Sequence, residues 1–146
     1  MALKAANDKS MSNITALPSG VSAKSLILIS TTTASSSATV DITSGIDDTY
    51  KEYIIKFYDV HPATDNANDS GISGYLHLYD PSNTTFVKHF IAQTSSCLDG
   101  GASYGIYNLN FFTAGYGNTT SAVDAVQFKM SSGNIDAGVI KMYGVS

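Results

Sequence analysis

The chain has 146 residues, a formal net charge of −4, and 14% charged against 43% apolar residues, enough for one domain with a packed core. All eight basic residues are Lys, so there is no arginine-bearing basic patch of the kind phosphate backbones require, and nucleic-acid binding is excluded. The longest apolar run, Leu26-Ile27-Leu28-Ile29, is far below the ~20 residues of a membrane span, and Met1 to Ser10 lacks a signal peptide's apolar segment, so a soluble protein not exported by that route is expected.

Residues 1–25 hold no sustained period, are rich in Ser, Ala and Asn, and contain the turn signal Leu17-Pro18-Ser19-Gly20; they read as an arm or linker. Residues 26–146 then alternate short β-branched or aromatic runs with Gly, Asn, Asp and Ser clusters, the pattern of an antiparallel sandwich or barrel. The expected strands are Leu26 to Thr33, Ala38 to Ile42, Glu52 to His61, Ile72 to Tyr79, Thr85 to Ala92, Tyr104 to Phe112, Ala122 to Met130 and Val139 to Tyr143. Asp80-Pro81-Ser82-Asn83-Thr84 reads as a tight connection, because Pro presets one turn dihedral while Asp and Asn bond back to the backbone; Ser131-Ser132-Gly133-Asn134 repeats the signal. Eight short strands without intervening helices predict an all-β, antiparallel β-sandwich of jelly-roll type carrying an extended N-terminal arm.

In Tyr107-Asn108-Leu109-Asn110-Phe111 the apolar residues face one way and the asparagines the other, as in a half-buried strand. Elsewhere both faces are apolar: Tyr53, Ile55 and Phe57 against Ile54, Tyr58 and Val60, or Phe86 and Phe90 against Val87 and Ile91. One sandwich core uses one face. With 9 Tyr and 6 Phe in the chain, the other face calls for a loop or a neighbouring subunit as cover. The faces expected to meet another subunit are those bearing Tyr75, His77 and Tyr79, or Val87, His89 and Ile91. The single cysteine, Cys97, allows no internal disulfide, so such a fold holds by packing and hydrogen bonds.

Motifs with chemical content are weak. His77 and His89 flank the Pro81 turn on neighbouring strands, but no third ligand repeats at metal-binding spacing, so no metal or other cofactor is expected. Asp65 to Gly71 is oxygen-rich, yet in the register that puts Gly71 sixth, His77 stands where a calcium loop needs a bidentate Glu. No spaced Cys, His and acid set is present, and Cys97 reads as an idle thiol. The aspartates sit mostly at strand ends, where they serve turns rather than a glycosidase pair. Gly100 to Gly105 precedes a strand rather than a helix and reads as a flexible turn.

Three long stretches carry a resemblance. Residues 28–62 (LISTTTASSSATVDITSGIDDTYKEYIIKFYDVHP), Gly74 to Phe90 (GYLHLYDPSNTTFVKHF) and Phe112 to Ser146, with Asn13 to Pro18 ahead of the domain, resemble a family of virion structural proteins of marine tailed phages, fibre-like or decoration proteins. The resemblance covers most of residues 13–146 and carries over no catalytic residues. It departs from the family between Asp65 and Gly74, where only Asn66 to Ser73 intervene, implying a shortened loop or a missing edge strand. It implies a non-enzymatic virion surface protein made in the host cytoplasm, either capsid decoration or fibre head. Its partners would be copies of itself in a trimer and other virion proteins met through residues 1–25. The alternative is a tail-fibre tip recognising host surface glycan through tyrosines such as Tyr104, Tyr107 and Tyr116, with Tyr75 and Tyr79 as further candidates. A wall-degrading hydrolase would instead need paired carboxylates in a cleft.

Overall fold

Local pattern and pairing agree along most of the chain. A computed structural model describes residues 26–63, 70–99 and 105–146; the expected arm and the acidic loop at Asp65 to Asp69 lie outside them. Eight strands follow in order: β1 (Leu26–Ser37), β2 (Val40–Ile42), β3 (Glu52–Pro62), β4 (Ile72–Tyr79), β5 (Lys88–Asp99), β6 (Ile106–Gly117), β7 (Val126–Phe128) and β8 (Ile135–Val145). Among the described residues no helix occurs, hence none long and apolar enough to cross a membrane.

The strands form a six-stranded antiparallel sheet, ordered β1-β8-β3-β4-β5-β6, and a two-stranded one, β2-β7. The all-β, antiparallel, sandwich-like expectation is met, but the pairing is not that of a full jelly roll. A jelly roll in chain order would pair β1-β8-β3-β6 against β2-β7-β4-β5. Here β1-β8-β3, β2-β7 and β4-β5 pair in that way. The hairpin β4-β5, however, stays in the plane of the large sheet. The continuous ladder from Glu52↔Tyr79 to Phe57↔Gly74 seats β4 on the free edge of β3, and β5 and β6 follow as a meander instead of folding over onto β7.

The core lies between the small sheet and the β1-β8-β3-β4 part of the large one. Ala34, Val40, Ile42, Tyr53, Ile55, Leu78, Ile140 and Met142 are buried there, with Phe57, Val126 and Phe128 packed against them. Phe57 and Phe128 meet edge to face, ring centroids 5.1 Å apart, a favourable aromatic geometry. Tyr53, fully buried, donates its hydroxyl to the Asp47 carbonyl at 3.0 Å and accepts from the Asp47 N–H at 2.9 Å, so the polar tip of this core side chain organises the loop before β3.

Strand ends moved where turn chemistry outweighed propensity. β5 begins at Lys88 rather than Thr85 because the Asn83 side chain accepts from the Thr85 and Phe86 N–H groups, an Asx turn that ties them outside the ladder. β6 runs on through Gly115, over which the Phe90 ring lies where a Cβ would come within 2.7 Å, so the neighbouring aromatic fills the place of the missing side chain. β7 shrinks to three residues; upstream of it the Val123 N–H bonds to the Pro81 carbonyl, not to β2.

Candidate functional site

Because side chains alternate across a strand, pairing register decides which residues share the face turned away from the core. Across the sheet one row reads Leu28, Tyr143, Ile54, His77, Ile91, Ala114, and the next reads Thr31, Lys141, Lys56, Tyr75, Gln93, Phe112. Tyr79, His89 and Tyr116 share the adjoining row. The two sets proposed as alternatives from sequence, Tyr75/His77/Tyr79 and His89/Ile91, therefore lie together on one outer face. Val87 lies in the connection before β5, half-buried.

This outer face is aromatic and open. Phe112 is 72% exposed and Tyr116 58%, and Tyr58, Tyr75, Tyr79 and Leu28 are also exposed. The rings contact one another: Tyr75 stands edge-on to His77, His77 stacks on Tyr79 with centroids 6.1 Å apart, and His89 lies 6.1 Å from Tyr116. Lys56 sits 5.5 Å over the Tyr143 ring and Lys141 5.6 Å over Tyr58, so lysine stems cover part of the apolar surface while their charge faces the rings. The Tyr143 phenol is held above its ordinary pKa, first by hydrogen bonding to Tyr58 and then by burial.

Toward the other end of the strands the same face turns polar. Tyr75 Oη donates to Gln93 Oε1 at 2.9 Å, Gln93 reaches Asn110 at 3.4 Å, and Ser95 Oγ donates to Asn108 at 2.9 Å. The bulge between Phe57 and Val60 puts Asp59 at φ 52°. There Asp59 Oδ1 meets His61 Nε2 at 3.1 Å, while His61 Nδ1 contacts the Ser70 carbonyl at 3.0 Å. Cys97 lines the same shallow pocket with Ser73, Ser95 and Asn108, but both imidazole nitrogens are directed elsewhere and its own N–H bonds to the Gly71 carbonyl.

The tyrosines proposed for glycan stacking do not form one platform. Tyr116 is on the outer face, whereas Tyr107 pairs with Leu98 in the row that continues the inner face, as does Phe111 opposite Thr94. They are nine residues apart, an odd number, and so emerge on opposite sides. Tyr104 lies outside the described residues. His77 and His89 are diagonal neighbours, and His77 Nδ1 contacts the Glu52 carboxylate rather than the second histidine. Among the described residues no group of three or more His, Cys, Asp or Glu could hold a metal ion.

Sequence reasoning missed the Glu52–His77 contact, for which the one available signal was that Glu52 is the chain's sole glutamate. It also missed Lys88, 2% exposed, whose ammonium donates to the carbonyls of Asn83, Phe86 and Thr119. No family model, no curated protein and no solved structure matches the chain.

Proposed function

We propose that this is a non-enzymatic surface protein of a tailed-phage virion, a capsid decoration or fibre head, that acts as a homotrimer and attaches through residues 1–25. The observation that carries the assembly reading is the open aromatic face of the six-stranded sheet, with Phe112, Tyr116, Tyr58, Tyr75 and Tyr79 all exposed on it. Soluble monomers rarely leave contiguous apolar patches beyond a few hundred square ångströms to water. The virion setting comes from the sequence resemblance. Mass spectrometry and antibody labelling of purified particles test it: the protein should be found on the outside of the capsid or fibre, and its absence from intact particles would overturn the reading.

A second reading, a receptor-binding tip for host surface glycan, is favoured by one local feature. The Tyr75 ring is held by Gln93 beside the amide and hydroxyl row of Gln93, Asn110, Ser95 and Asn108. Aromatic faces stack on sugar rings, and amides bond hydroxyls in pairs. A glycan array separates the two readings: saturable binding lost in Tyr75→Ala supports the tip, and no binding supports passive decoration.

A further inference from the structure

Beyond the face, among the described residues the six-stranded sheet has two edges without a further strand, β1 and β6. Natural sheets blunt such edges with lysine, proline, bulges or short strands, since exposed N–H and C=O groups invite pairing with another chain. β6 has none of these. Its twelve residues, Ile106–Gly117, carry no charge and no proline, and pair with β5 in unbroken register over the whole length. β1 is equally uncharged over Leu26–Ser37; its register shifts once, between Leu28 and Ser30, and Ser36 near its end has φ 46°.

We infer that these edges are made for each other: β6 of one copy pairs antiparallel with β1 of the next, closing a ring whose interior is the aromatic outer face. The inference rests on the homotrimer proposed above and specifies how it is built. The direction fits. Every neighbouring pair in the sheet is antiparallel, so with six strands the two edges run in opposite senses. Rotation about an axis along the strands preserves strand direction and therefore brings β6 beside β1 as an antiparallel pair. The heights fit as well. Such a rotation sets equal rows side by side, so the exposed Leu28 and Ile27 of β1 come level with the stretch of β6 between Phe112 and Tyr116. Leu28 lies in the row of Ala114, and Ile27 in that of Gly115, flanked by Phe112 and Tyr116.

The size fits three copies. Six strands about 4.8 Å apart make a wall about 29 Å wide. Three such walls stand about 8 Å from their common axis, four about 14 Å. Packed sheets sit ~10 Å apart, so an average side-chain layer reaches ~5 Å; tyrosine and phenylalanine close the remaining gap for three walls and leave a wide channel for four. The small sheet, on the opposite face, stays outside the ring. Pairing β6 with β6 about a twofold axis perpendicular to the sheet would only widen the sheet and leave its aromatic face in water.

Cysteine pairs across the edges test this in the full chain. In a Cys97→Ser background, Thr31→Cys is combined in one chain with Asn110→Cys, Phe112→Cys or Ala114→Cys, outer-face positions that span the register change strand tilt allows. Each single variant serves as control, and light scattering of the unlinked protein gives the native mass. The expected result is a native mass three times the 15.4 kDa chain, with non-reducing gels showing linked dimers and trimers for at least one double variant. Mixing the Thr31→Cys and matching β6 single variants should give linked dimers, and neither alone should. A trimer that links in no pair overturns the edge pairing and leaves the trimer standing. Efficient linking by Phe112→Cys alone overturns it in favour of β6 against β6. A monomeric mass overturns both the edge pairing and the trimer.

Discussion

Lys88→Met removes an ammonium and keeps the side chain's length and volume, which makes it the sharpest probe of the loop end of the domain. The lysine is 2% exposed and donates to the Asn83 carbonyl, to that of Phe86 at 3.1 Å and to that of Thr119 at 3.4 Å, joining the β4-β5 connection to the segment after β6. Hydrogen bonds from a charged donor contribute about 1.5–3 kcal/mol each, and the two nearer ones dominate. Against this, methionine escapes the several kcal/mol it costs to desolvate an ammonium, while each carbonyl left dry costs about 1–3 kcal/mol. The balance is a loss of about 3 kcal/mol. With a urea m-value of about 1.5 kcal/mol/M, the midpoint should fall by about 2 M in equilibrium unfolding followed by circular dichroism. A shift below about 0.3 M, or a rise, would show that water satisfies those carbonyls and that the buried charge is a net cost, refuting the reasoning.

Other substitutions and conditions probe different parts of the fold. Gly144 lies buried beneath the Tyr50 ring, whose nearest atom would be 2.3 Å from an added Cβ, so Gly144→Ala should displace that ring and cost about 1–3 kcal/mol by overpacking, read from the thermal midpoint. Ser30 Oγ is buried without a partner at the β1 bulge; Ser30→Ala should be neutral or stabilising by up to about 1 kcal/mol in urea unfolding. Hydrogen bonds from the Thr49 N–H and hydroxyl, and then from Tyr53, hold the Asp47 carboxyl below its usual value, and Asn83 followed by Lys51 does the same for Asp80. A lowered folded pKa stabilises above the unfolded carboxylate value of about 3.9 and loses that stabilisation as pH falls through the folded value. The thermal midpoint should therefore drop below about pH 4, and less steeply in Asp47→Asn. Burial pushes the Tyr53 phenol up, and the Tyr143 phenol is raised as well. Their contribution is complete below about pH 10 and lost above it, so alkaline titration should unfold Tyr53→Phe later than the parent protein once its lower neutral stability is subtracted.

The sequence by itself determined the class of fold, where its strands lie, and which residues share a side of each strand. A period of two is a local property, readable from Tyr53, Ile55 and Phe57 without knowing any neighbour, and the Asp80 to Thr84 turn was equally local. The opposite orientation of Tyr107 and Tyr116 was legible in the same way, from their odd spacing. Tertiary structure alone decided which strands became neighbours. Nothing near β4 in the chain states that it will hydrogen-bond to β3 in plane rather than cross over to β7, because that choice compares contacts between segments far apart in sequence. From that single choice follow the six-and-two division of strands, the meeting of Tyr75, His77 and Tyr79 with His89 and Ile91, and the exposure of β6 as an edge. The burial of Lys88 follows from it too, since its third carbonyl, that of Thr119, comes from beyond β6. Side-chain period belongs to one strand, whereas a face, an edge or a buried charge belongs to a set of strands, and only pairing assembles the set.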